Sequence, residues 1–443
     1  MKYTTERNSW YLSNFATFER SLNGESESPV HALRREAIRR FDMLGFPTNR
    51  HEEWRFTNIQ PILKADLKPI LGPHSGSAAK GDIERLFFGT EHRLVFVNGY
   101  FVETLSSVGD LPKGVWCGSL AAAQDQGVLR QHLAHYAKYD DSPFTALNTA
   151  FLRDGAFIHV PDNTELDEPI HILFLTKDAE GSLISPRNLI VIGANSRTSI
   201  VESYESLTGN SHLTNVVTEI VLGENSVLEH DRLQDEGLQA FHVSSAYVHQ
   251  KAGSVLVSNS IALGGSIARS NVSAVLGGPG SECTLNGLSL SNGAQLIDNH
   301  TSIDHAQPNC QSHELYKAIL DGKSRGVFNG KIFVRQDAQK TDAKQTNKTL
   351  LLSDEAMIDT KPQLEIFADD VKCTHGATVG QLEAEQVFYL RTRGIDETTA
   401  RDILTFAFAS DVVSRVHVEP LRNQLEARIH ARLDEGRQAR GGN

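Results

Sequence analysis

Two short segments of this 443-residue chain concentrate side chains able to hold a metal ion. The first is Asp369-Asp370-Val371-Lys372-Cys373-Thr374-His375-Gly376. In an extended strand, residues two apart share a face, so Cys373 and His375 would present a thiol and an imidazole side by side. Two ligands cannot close a tetrahedral site; the others must come from a small molecule, another segment or another chain, which points to a shared interface. The competing reading of the same residues is a buried cysteine beside a structural histidine. The second segment crowds His300, Asp304, His305, Cys310 and His313 into fourteen residues. Imidazole and thiolate suit borderline and soft metals, yet this spacing matches no standard zinc motif, and histidines on strand edges commonly face solvent or bond backbone. We assign no ligand role to these five.

Two glycine-rich signals fail on inspection. Gly322-Lys323-Ser324 resembles the end of a phosphate-binding loop, but the glycine required five residues earlier is Lys317, so ATP hydrolysis by this chain is not expected. Gly278-Pro279-Gly280 begins a dinucleotide fingerprint whose third glycine is replaced by Cys283; a turn is the better reading.

The elements that must position the Cys373/His375 pair are legible in outline. Val30, Leu33, Ala37, Ile38 and Phe41 recur at helical spacing before Gly45 and Pro47, a helix and its stop. Residues 1–85 are therefore expected to be a helical region, with Glu52-Glu53-Trp54-Arg55-Phe56-Thr57 as a surface turn leading into a packed tryptophan. Residues 86–379 consist of short β-branched runs broken by Gly, Asn, Asp and Ser. Inside them Ser196, Ser226, Ser254 and Ser281 recur at steps of 27 to 30; Gln295 follows after 14 and Ser324 after a further 29. Two strands per turn of a β-helix account for both periods, because coils that cannot bury their apolar faces alone stack into one core. A large antiparallel sandwich or barrel is the competing fold, but it need not keep a fixed beat. Residues 380–443 return to helical spacing. Ala400, Ile403, Leu404, Ala407, Phe408 and Val412 form one apolar stripe, and Leu421, Leu425, Ile429 and Leu433 a second. These stripes either dock a partner or pack on each other and on the solenoid.

Composition narrows the function class. Lys and Arg number 43 against 55 Asp and Glu, a net charge of −12, which argues against non-specific binding to nucleic acid or anionic membranes. No stretch approaches the ~18 apolar residues of a spanning helix, and Met1 to Ala16 lacks the flank and core of a signal peptide, so a cytoplasmic address is expected. Four cysteines with no C-x-x-C pair make neither a disulfide framework nor a zinc ribbon.

Long blocks of the chain are familiar. Leu315 to Ile332 (LYKAILDGKSRGVFNGKI), Gln339-Lys340-Thr341-Asp342-Ala343 and Asp359 to Ile366 (DTKPQLEI) closely resemble the SufB/SufD family of iron-sulfur cluster assembly proteins. Ala368 to Gly380, followed by Phe388-Tyr389-Leu390-Arg391 and Arg393-Gly394-Ile395, is similar to SufD rather than SufB. The resemblance implies a mainly β protein, a right-handed parallel β-helix flanked by helical amino- and carboxy-terminal regions. It implies a scaffold role without catalysis, with pairing to SufB through the β-helix and binding of the ABC-type ATPase SufC through the carboxy-terminal helices of both chains. It also implies a transient iron-sulfur cluster at the SufB interface, with His375 as a ligand by position and Cys373 as the second candidate; whether a reduced flavin serves the complex stays open. Where SufB-type chains carry Glu after the corresponding histidine this chain has Gly376, and it lacks SufB's cysteine-rich amino-terminal motif, which fits the ligand-poor half of a scaffold. Two readings compete: a polysaccharide-cleaving β-helix enzyme using Asp369 and Asp370 as acid and base, and a purely structural homodimer joined at exposed strand edges.

Overall fold

The computed structural model describes residues 2–22, 28–72 and 78–441. The β-branched runs of the middle region become strands that alternate between two sheets, each strand bonding in parallel to the one two positions further along the chain. The result is a parallel β-solenoid of eight coils with two strands per coil, running from Ala156–Val160 and Ile170–Thr176 to Met357–Ile366 and Lys372–Gly380. The antiparallel sandwich is thereby excluded. The sequence beat has a simple origin. Ser196, Ser226, Ser254 and Ser281 each sit at the corner before a strand of the ten-stranded sheet, whereas Gln295 and Ser324 precede strands of the eleven-stranded one. The step of 14 is half a coil.

The corners repeat because each needs one residue in the left-handed region. Asn163, Asn195, Asn225, Gly253, Gly280, Asn309 and Lys340 occupy equivalent corners, all with φ between 54° and 70°, where Asn and Gly are least penalised. The asparagines also form a ladder: Asn195 Nδ2 donates to Asn163 Oδ1 at 3.1 Å and Asn225 Nδ2 to Asn195 Oδ1 at 3.2 Å. Gly322, the glycine of the failed phosphate-loop motif, is a corner residue on the other side. Its φ is +63°, and a Cβ there would lie 2.9 Å from Gly293 N.

Exact register aligns inward side chains into rows along the bore. Leu228, Leu256, Cys283, Ser312, Ala343 and Cys373 form one row. Ile200, His230, Ser258, Leu285, Glu314, Gln345 and His375 form the next. Most of these are buried, and the bore holds the main apolar core with Phe96, Phe174, Tyr204, Tyr316 and Phe328; each such side chain contributes ~1.5–3 kcal/mol by leaving water.

Helices pack on the outside. Pro29–Leu44, capped by the Ser28 side chain and ended by Gly45, joins Lys2–Arg20 and Pro143–Ala150 in an aromatic cluster. Behind it Arg187 and Glu219 form a fully buried ion pair at 2.7 Å, and Glu219 also accepts the backbone N–H groups of Ala134, Tyr136 and Ala137. At the other end, Glu419–Gly441 lays Leu421, Leu425, Ile429 and Leu433 on the outer face of the ten-stranded sheet, against Leu233, Ile261 and Leu288. Arg428 and Arg432 fasten it to Asp235 at 2.6 and 2.7 Å.

The stripe predicted for the helix Glu397–Val413 needs correction. Its buried face is Ala400, Thr405, Ala409, Val412 and Val413, while Ile403 and Ala407 face solvent. The helix seats its small residues deepest on the sheet, with Phe406 and Phe408 packed beside them only partly buried, and simple hydrophobicity does not reveal that phase. The Glu52–Trp54 turn is also more than a surface feature. Trp54 is clamped between the Arg269 guanidinium, 3.8 Å from its ring centroid, and Phe144.

If Gly322 serves the corner and not a nucleotide, Gly322→Ala should cost about 2 kcal/mol through left-handed strain and crowding. A urea midpoint unchanged from wild type would contradict the corner assignment.

Candidate functional site

The two ends of the solenoid differ. At the beginning, both sheets finish in antiparallel strands: Tyr100–Phe101 on His92–Val97, and Trp116–Ser119 on Ala156–Val160. At the far end, neither Met357–Ile366 nor Lys372–Gly380 pairs with a further strand among the described residues. The last coil is left half-made, since its inner side chains have a rung behind them and nothing in front. Every position from Ile358 to Glu365 is only half-buried, and Lys372–Gly380 is mostly exposed.

Cys373 and His375 lie on that last strand. In parallel pairing a residue directs both backbone groups to the same neighbour, and successive residues alternate. The Lys372 N–H bonds Thr341 O, back into the sheet, so the backbone groups of Cys373, His375, Ala377 and Val379 point off the edge. Their side chains continue the rows of Ala343, Gln345, Asn347 and Thr349, all buried, and therefore face the bore. The sequence expectation that Cys373 and His375 share a face holds, and that face is the inner one.

Their surroundings differ. Cys373 packs against the apolar cluster of Ile332, Val334, Ala338 and Ala343, and burial, aided by the Asp342 charge, pushes its thiol pKa up. It rests as a thiol and must shed its proton to bind a metal. His375 is exposed at the mouth of the bore. The inner face around it is polar: Gln345 Oε1 and Asn347 Oδ1 on the rung behind, and Thr360 Oγ1 on Met357–Ile366 of the same coil, are buried without a hydrogen-bond partner among the described residues. The pair offers one sulfur and one imidazole donor at an open end, a half site. No group of three or more His, Cys, Asp or Glu that could hold a metal occurs among the described residues.

The crowded segment His300 to His313 is dispersed by the pleat and a corner. His300 points outward, with Nδ1 3.1 Å from Glu53 Oε2 and Nε2 3.0 Å from Asp298 Oδ1. His305 is buried in the bore against Ser312 Oγ at 2.9 Å. Asp304 pairs with Arg335, Cys310 closes a buried corner against Ser281, and His313 is exposed. Around His300 lies a tie that sequence reasoning missed. Asp298 accepts from Arg269 Nη1 at 2.7 Å and from Thr57 Oγ1; although burial opposes its charge, Arg269 and His300 hold its pKa down to about 2. The Glu52-Glu53-Trp54 segment thus straps the amino-terminal region to the solenoid. Only the charge-rich run EEWR hinted at it. Asp370 is bound to Lys340 across a corner, a structural tie rather than half of an acid/base pair.

A parallel β-solenoid closed at one end, with Cys373 and His375 side by side on the open last rung of the other, defines the class of fold. Comparison with known proteins makes this specific. Residues 174–408 match the model for the SufBD core domain of SUF system FeS cluster assembly, and residues 5–172 match that for the SufBD protein N-terminal region. An iron-sulfur cluster assembly SufBD family protein of Synechocystis is 36% identical over 93% of both chains. The iron-sulfur cluster assembly protein SufD of Escherichia coli is 32% identical over 88% of this chain and 90% of its own length. A chloroplastic Arabidopsis protein, ABCI7, is 29% identical over 93% of this chain and 87% of its own. The chain belongs to the SufBD family of iron-sulfur cluster assembly proteins and is SufD-like. No helix among its described residues is long and apolar enough to cross a membrane.

Because its pKa is raised, Cys373 should alkylate with iodoacetamide more slowly at pH 7.5 than a free small-molecule thiol, and the rate should climb about tenfold per pH unit. Peptide mass analysis resolves it from the other cysteines. A pH-independent or faster-than-free rate would show an activated thiolate instead.

Proposed function

We propose that this chain is the SufD-like scaffold subunit of a SufBCD complex, where a nascent iron-sulfur cluster is built across the interface between its open solenoid end and SufB. The observation that carries this reading is the half site itself. Cys373 and His375 face the bore of a coil whose strands have unpaired edges, so a chain that extends the sheets also completes the ligand set. The two edges are not equivalent. Pro362 lies in Met357–Ile366 at a position whose missing N–H would point off the edge, where proline blocks strand addition. Lys372–Gly380 carries no proline and is the edge that supports augmentation by a partner strand.

A mixed imidazole and thiolate environment grips a cluster less firmly than four thiolates, which suits cargo that is made and released. The cluster is the product passed on, and the chain's own contribution is to orient ligands and exclude water. ATP hydrolysis falls to SufC, because the only phosphate-loop-like triplet here is a solenoid corner. The carboxy-terminal helices receive that ATPase, but not through the whole apolar surface. Leu421, Leu425, Ile429 and Leu433 are consumed by the chain's own sheet. The available surface is Phe388 and Tyr389 on Ala384–Thr392 together with Ile403, exposed at 65%, 57% and 43%. A cytoplasmic location follows the same reading.

Anaerobic co-expression with SufB and SufC tests the proposal. The wild-type complex should carry iron and acid-labile sulfide, and His375→Ala should lose most of both while all three subunits still assemble; equal content would remove His375 from the ligand set. With SufB left out of the co-expression, Phe388→Asp with Tyr389→Ala should abolish SufC co-purification with this chain, and with SufB present the SufB pairing should stay intact. Retention of SufC would place its docking elsewhere.

A further inference from the structure

The row of inward side chains that ends at His375 has a polar group on each of the two rungs directly behind it. Glu314 is buried, and burial pushes its carboxyl up to about 7; Gln345 is 1% exposed and donates from Nε2 to Glu314 Oε2 at 2.6 Å. The opposite sheet makes room for this amide with Gly330, where a Cβ would collide with Gln345 Nε2. With Nε2 committed to Glu314, the remaining amide atom, Oε1, is a buried acceptor with no donor. A desolvated carbonyl without a partner is costly and rarely kept without reason. The next member of the row is His375, one strand further on, a spacing of about 4.8 Å that a carboxamide and an imidazole readily bridge.

We propose that Gln345 is the positioning residue for His375: its Oε1 accepts a hydrogen bond from one imidazole N–H, so that the other ring nitrogen keeps its lone pair for a metal at the mouth of the bore. An imidazole whose second nitrogen is held in this way is fixed in both tautomer and orientation. Glu314 acts one step deeper, by holding the Gln345 amide so that oxygen rather than nitrogen faces outward. The arrangement is legible only in three dimensions, since Glu314, Gln345 and His375 are some thirty residues apart in sequence. It rests on the reading of His375 as a ligand.

Co2+ titration of the full-length chain, followed by its visible absorption, tests the inference. Gln345→Leu, which fills the space but removes the acceptor, should weaken binding tenfold or more. Gln345→Glu, an isosteric acceptor to which protonated Glu314 can donate, should bind within about threefold of wild type. In a His375→Ala background, Gln345→Leu should have no further effect. Binding by Gln345→Leu equal to wild type would overturn the positioning role, as would an equal loss in the His375→Ala background or failure of Gln345→Glu to restore binding. If His375→Ala itself binds Co2+ like wild type, the ligand reading fails and this inference fails with it.

Discussion

Backbone hydrogen bonding between in-register parallel strands holds this molecule together, and that bonding has no natural end: each strand leaves one row of donors and acceptors for the next. A solenoid must either terminate the row or pass it on. Here the amino-terminal end is terminated by antiparallel strands, whereas no described residue terminates the carboxy-terminal end. The placement of Cys373 and His375 follows from that asymmetry. On any earlier coil their row would be buried, like Cys283 and Glu314; on the last coil the same inner face opens outward, and an interior position becomes a place where two chains can meet.

The rest of the architecture supports this open end while keeping it free. The aromatic cluster of the amino-terminal helices packs on one sheet, and the Glu53, His300, Asp298 and Arg269 tie locks their trailing segment to the coils near the open end. The carboxy-terminal helix crosses the other sheet and is fixed by Arg428 and Arg432 to Glu205 and Asp235. Both attachments use outer faces, so neither covers the edge of Lys372–Gly380. The helix Ala384–Thr392, which carries Phe388 and Tyr389, directly follows that strand in sequence.

Much of the fold was legible because solenoid physics leaves its period in the sequence: a left-handed corner residue per coil, small residues before each strand, and inner positions at every second residue. The 14-residue step between Ser281 and Gln295 was the mark of two corners per coil. Legibility failed where contacts join distant segments. Nothing in the spacing of His300, His305 and His313 tells that one meets Glu53, one lies in the bore and one faces solvent, because the pleat sends neighbours to opposite faces. The helix Glu397–Val413 was misphased since alanine, threonine and valine form its most buried face, while Phe406 and Phe408 pack only partly and Ile403 is exposed. Cys373 and His375 stood out by their i, i+2 spacing and by the SufD-like segment around them, but their inward orientation at an unfinished coil, and Gln345 behind them, required the register of the whole sheet.

The central claim is that the edge of Lys372–Gly380 is completed by another chain. Amide hydrogen exchange at Cys373, His375, Ala377 and Val379, whose N–H groups point off the edge, tests it most directly. These amides should exchange rapidly in the isolated monomer and become strongly protected when the chain is assembled with SufB. Unchanged exchange at all four in a complex that has formed would show that the open end is not the docking edge.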